Sequence, residues 1–61
     1  MVLKPPKPED IAKARAKAAL TQRQAAELVH VSVHTWRSWE QGSYKASLTA
    51  WELFLLKTHQ Q

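Results

Sequence analysis

Val33, His34, Arg37 and Ser38 fall within residues 33–38, and their side chains are of the kinds that touch the edges of base pairs. An Arg can donate two parallel hydrogen bonds to guanine O6 and N7, a His can donate or accept at a purine edge, and a Val can pack on a thymine methyl. Catalytic chemistry is harder to assemble. With one Gly in 61 residues there is no phosphate-cradling loop, and no nucleophile, base and acid stand at a recognised spacing. The chain has no Cys, which removes a disulfide framework and thiolate zinc sites. His30 and His34 have a spacing that would suit metal on one continuous helix, but Ser32 interrupts that helix and no carboxylate joins them. No enzyme, cofactor or metal site is expected.

Contact with base edges requires a helix that enters a groove, and the flanking residues supply one. Leu20 to Gly42 read LTQRQAAELVHVSVHTWRSWEQG, two short helical patterns joined by a sharp turn, which is the spacing of a DNA-binding helix-turn-helix. Thr21 begins the first of these helices, with Gln24 completing a capping box. Ala25, Ala26, Leu28 and Val29 supply its buried side, and the paired alanines let a neighbouring helix approach closely. His30 and Val31 form the turn. Ser32 caps the next helix, with Val31 and Trp36 placed to clamp across it as a hydrophobic staple, and Gly42 closes it just past Gln41.

A leading helix should start at Pro8 or Glu9, because proline suits the first helical position and Glu9 and Asp10 oppose the helix dipole. Ile11, Ala14 and Ala18 recur along it at helical spacing. The closing helix starts either at Ser47 or at Thr49, where Thr49 and Glu52 would make a second capping box. Along it Leu48, Trp51, Phe54 and Leu55 form one apolar stripe and Leu53 with Leu56 form another. One small domain cannot easily bury both stripes. Leu53 and Leu56 are therefore candidates for a homodimer interface, against the plainer alternative of a helix wrapped on its own domain with one of them partly exposed. Trp36 and Trp39 could stack on single-stranded bases, but so short a chain needs both indoles to fill its core.

These residues resemble the Cro and phage-repressor family of helix-turn-helix proteins, the XRE-like group, over Ile11 to about Leu56. The resemblance is carried by the Leu20, Thr21, Gln22 opening, the Ala25 and Ala26 pair, Trp36 and Trp39, and the Trp39, Glu40, Gln41, Gly42 ending. The T-W-x-x-W-E-x-G run followed by W-E-L-F-L-L-K-T also looks like a set of very short phage-associated regulators. What the resemblance implies is an all-α fold, four short helices in a repressor-like bundle, with Val33, His34, Arg37 and Ser38 facing bases in the major groove. It puts Gln22 against a phosphate or the outer edge of the site, with Ser32 and Lys45, and also Arg23 and Tyr44, on the DNA backbone. It pairs Arg15 with Glu40 in a buried ion pair that orients two helices. Ala19 and His30 stand where the family usually has glycine, so each needs a positive φ at a cost of roughly 1 kcal/mol.

Composition agrees with a polyanionic partner: nine Lys and Arg against five Asp and Glu give a net charge of +4. The length suits one domain, expected to span residues 8–61, after a flexible basic proline-rich arm at 1–7 that includes Lys4, Pro5, Pro6 and Lys7. The apolar run Leu53 to Leu56 is too short to span a bilayer, and the first ten residues lack the apolar stretch of a signal peptide, so a cytoplasmic location is expected. The expectation is a sequence-specific double-stranded DNA-binding regulator, a homodimer on a palindromic operator, repressing a phage or mobile-element operon by promoter occupancy. The alternative is a protein-interaction module, such as an antitoxin-like partner-binding protein with secondary DNA binding. Neither reading involves a small-molecule substrate or a membrane.

Overall fold

Pro8 holds the φ of a first helical residue, and the chain becomes helical there in the computed structural model, which describes residues 5–60. The helices are α1 (Pro8–Lys17), α2 (Gln22–Leu28), α3 (Val33–Gln41) and α4 (Leu48–Lys57), with no strand among the described residues. Lys4, the first basic residue of the expected arm, lies outside the described residues; Lys7 is extended and its N–H donates to Asp10 Oδ2 at 3.3 Å.

Side-chain caps set the start of the other three helices. Thr21 Oγ1 accepts from the Gln24 N–H at 3.1 Å while Gln24 Oε1 accepts from the Thr21 N–H at 2.9 Å, so the capping box forms as its spacing predicts. Ser32 Oγ accepts from the Thr35 N–H at 3.2 Å. Of the two starts open for α4, the chain takes Ser47, whose hydroxyl accepts from the Ala50 N–H at 3.3 Å. Thr49 is then already helical and cannot serve as the extended residue that a cap requires.

The four helices also end alike. Behind each, one N–H reaches back three residues and the next reaches back five: Ala19 to Ala16 and Leu20 to Arg15, His30 to Glu27 and Val31 to Ala26, Gly42 to Trp39 and Ser43 to Ser38, His59 to Leu56 and Gln60 to Leu55. This is the Schellman closure, and it places its pivot residue in the left-handed region. The φ values there are 58° at Ala19, 60° at His30, 82° at Gly42 and 58° at His59. The first two match the expectation; the third helix has the glycine that this geometry favours, and His59 was not anticipated. At Gly42 the positive φ favours glycine, and a Cβ would also crowd Pro8 Cγ at 3.3 Å.

Glycine at the strained pivots should relieve them. His30→Gly and Ala19→Gly are each expected to stabilise the domain by up to about 0.6 kcal/mol, the left-handed penalty of roughly 1 kcal/mol less the added entropy of an unfolded glycine. Thermal melts should show a rise of at most about 2–5 °C for each, since about 1 kcal/mol moves a domain this small by roughly 4–8 °C.

The core is aromatic. Trp36 and Phe54 are essentially inaccessible, with ring centroids 5.0 Å apart, and Trp39 and Trp51 extend the line at 5.6 Å from Trp36 and 6.2 Å from Phe54. Ile11, Ala14, Ala25, Ala26 and Val29 close around it, and Val31 packs on the same cluster from the turn. Both indoles of α3 thus serve packing and are not available to stack on bases.

On α4 the apolar stripes divide differently from the sequence expectation. Its buried line is Ala50 and Phe54, flanked by Trp51 on one side and Leu53 on the other, whereas Leu48 is 40% exposed and Leu56 is 53% exposed. Leu53 is therefore half-buried against its own core, and Leu56 points away from it. The buried line runs through Ala50, a small residue that hydrophobic weight undercounts. Lys57 Nζ donates to the Leu28 carbonyl at 2.7 Å, capping the end of α2, and Gln60 Nε2 donates to the Ala14 carbonyl at 3.0 Å.

Candidate nucleic-acid interface

Helix α3 is held from behind by α1 and α2. Trp36 and Trp39 anchor its inner side, which leaves the outer side to Val33, His34, Arg37 and Ser38. All four of these predicted base-reading residues come to one surface. His34 and Arg37 are exposed and Val33 is half-buried. Ser38 is also half-buried, and its hydroxyl donates to the Thr35 carbonyl at 2.7 Å, so its oxygen remains as an acceptor.

The residues expected on the DNA backbone lie on α2, at the start of α3 and on the α3–α4 connection. Gln22 is the first residue of α2, and Ser32 caps α3 with its hydroxyl 2.9 Å from Thr35 Oγ1. Tyr44 and Lys45 are exposed on the α3–α4 connection. Arg23 is exposed, with Nε 4.0 Å from Glu27 Oε1, a separation at which an exposed pair contributes little.

Arg15 and Glu40 meet as the resemblance implies. Arg15 Nε donates to Glu40 Oε2 at 2.7 Å and Nη2 donates to Oε1 at 3.1 Å, a two-pronged pair joining α1 to α3. The pair is only partly buried: the Glu40 side chain is 10% exposed and that of Arg15 is 25% exposed, because the guanidinium reaches past the carboxylate and donates from Nη1 to the Leu20 carbonyl at 3.1 Å. Burial pushes the Glu40 carboxyl up, but hydrogen bonds from Arg15, the Trp36 indole and Gln22 outweigh it, and its pKa lies below the ordinary value. The same hydrogen bond to Glu40 holds the Arg15 pKa above its ordinary value.

Two of those partners were not foreseen from the sequence. The Trp36 indole N–H donates to Glu40 Oε2 one helical turn away, so the core tryptophan also fixes the carboxylate. Gln22 Nε2 donates to Glu40 Oε1 at 3.3 Å, and Gln22 Oε1 accepts from Arg37 Nε at 3.2 Å. The Trp36 and Glu40 spacing of four was legible as a same-face pair. The Gln22 link crosses between helices, and no spacing rule within one helix exposes it.

Among the described residues no group of three His, Cys, Asp or Glu comes together to hold a metal ion, and no helix is long and apolar enough to cross a membrane. A family model described as a helix-turn-helix domain matches residues 5–55. The chain is also similar to the Type II methyltransferase M.MspI of Moraxella sp, with 50% identity over 36 residues; these are 59% of this chain and 9% of that protein. The chain thus spans under a tenth of the length of that curated relative.

Proposed function

This chain belongs to the XRE-like helix-turn-helix family, a DNA-binding family, and from that membership we propose that it is a sequence-specific repressor acting by promoter occupancy. The observation that carries this reading is the outer side of α3, where Arg37 and His34 stand exposed on a helix whose inner side is pinned by two tryptophans and an ion pair. In this reading Arg37 contacts guanine, His34 a purine edge, Val33 a thymine methyl, and Ser38 accepts a hydrogen bond from a base. Lys45, Tyr44, Arg23, Ser32 and Gln22 hold phosphates, and the basic arm at 1–7 adds charge without sequence information.

The protein is proposed to regulate its own operon, of phage or mobile-element type. Fluorescence anisotropy on DNA from upstream of its own gene, with a shuffled copy as control, should show salt-sensitive binding that prefers the native sequence by about a thousandfold. Equal and weak binding to both would instead support the antitoxin-like, partner-binding reading.

Dimerisation is proposed through the outer side of α4, with Leu56 at its centre and the exposed flank of Leu53 beside it; a two-fold axis there implies a palindromic site. Leu56→Glu should yield a monomer by sedimentation at high micromolar concentration. It should also weaken binding to a full palindrome far more than to a half-site. A wild-type chain that sediments as a monomer under those conditions would remove this part of the proposal.

A further inference from the structure

Gln22 is the residue whose bonds differ most from its expected role. A residue kept only for a phosphate would present its amide to solvent. Here Gln22 is a half-buried residue whose carboxamide bridges two α3 side chains one turn apart, accepting from Arg37 Nε at 3.2 Å on the exposed side and donating to Glu40 Oε1 at 3.3 Å on the part-buried side. Its orientation has one consistent solution, because a guanidinium can only donate and a carboxylate can only accept. Glu40 is itself held by Arg15 and the Trp36 indole. A chain of hydrogen bonds therefore runs from the α1–α3 ion pair, through Gln22, to an exposed arginine on the outer side of α3.

We infer that Gln22 is a specificity-determining positioning residue, which holds Arg37 so that its two terminal nitrogens are presented together to one guanine. This rests on the reading of α3 as the base-contacting helix. An arginine can meet guanine O6 and N7 either with Nε and one Nη or with both Nη groups. Gln22 occupies Nε, so the end-on mode with both Nη groups is the one left. An exposed arginine must otherwise lose its rotamer freedom on binding, and ordering it beforehand shifts that cost out of the binding step. The second N–H of the Gln22 amide stays free for a phosphate, which would tie the register of the backbone to the aim of the arginine.

The test uses the full chain and a library of duplexes with a randomised core, followed by anisotropy titrations on the selected site and its single-base-pair variants. The wild-type protein should select a site containing a G·C pair whose preference disappears in Arg37→Ala. At that pair alone, Gln22→Met should lower discrimination about three- to tenfold, the range that immobilising one flexible side chain implies. Gln22→Ala should do the same, with a thermal melt confirming that each variant is folded. In an Arg37→Ala background, Gln22→Met should leave discrimination at that pair unchanged. Discrimination is a ratio between two sequences, so a phosphate bond that disappears with the amide affects both alike and cancels. Variants that weaken all sequences alike while keeping the guanine preference would overturn the inference and leave base reading by α3 standing. A wild-type chain that selects no sequence would overturn both.

Discussion

Glu40→Ala should cost about 2–3 kcal/mol of folding stability, a large share of the roughly 3–9 kcal/mol that a domain of this size can have. The full penalty for breaking a buried pair is larger, but the Arg15 side chain is a quarter exposed and water recovers part of its solvation. The loss exceeds that of an ordinary ion pair because the carboxylate has four donors: two from Arg15, the Trp36 indole and Gln22. Removing it leaves the indole N–H of a nearly inaccessible tryptophan without an acceptor. Arg15→Ala should therefore cost less than Glu40→Ala, since Glu40 keeps the Trp36 and Gln22 bonds. Urea melts of the two single variants and the double variant would check this asymmetry. Equal losses would mean that the indole and the amide contribute nothing. The sign of the pH effect follows from the lowered Glu40 pKa. Stability from this group is complete above the unfolded carboxyl pKa, roughly pH 4, and is lost as pH falls through the lower folded value. Glu40→Gln should flatten that part of the acid melting profile.

The helix boundaries were legible because local chemistry decides them. Thr21 with Gln24, Ser32 and Gly42 each act within a few residues, and each forms as its spacing predicts. The strain at Ala19 and His30 was legible by comparison with a family that places glycine there. The identical closure at His59 was not, since no such comparison pointed to it. What the sequence could not convey lies between elements. Ala50 is absent from both stripes drawn from the large apolar residues, yet it belongs to the buried line of α4, with Leu53 packed against the core and Leu48 exposed. Lys57 caps α2 from the far end of α4, a contact that no local spacing signals. Gln22, Arg37, Glu40 and Arg15 were each singled out from the sequence, as phosphate contact, base contact and ion pair. That they form one connected chain depends on how closely α2 crosses α3, and paired alanines announce only that the approach is close.

Arg37→Ala and Lys45→Ala should fail in different ways, and the contrast separates base reading from charge. Arg37 stands on the outer side of α3 with both terminal nitrogens uncommitted by its bond to Gln22, so in the proposed base-reading role its loss should remove a bidentate contact worth about 1–3 kcal/mol of discrimination. That is roughly 5- to 150-fold in preference at one base pair, with little change on random DNA. Lys45 is exposed on the connection after α3, outside the helix that would enter the groove. Lys45→Ala should weaken native and random sequences by the same factor and flatten the dependence of log K on log salt by about one unit. Arg37→Lys sharpens the comparison because it keeps the charge and removes the planar fork. If charge alone mattered, Arg37→Lys would bind like the wild type. If the fork matters, it should keep the salt dependence and lose the guanine preference, and anisotropy titrations on two duplexes at two salt concentrations are enough to distinguish these results.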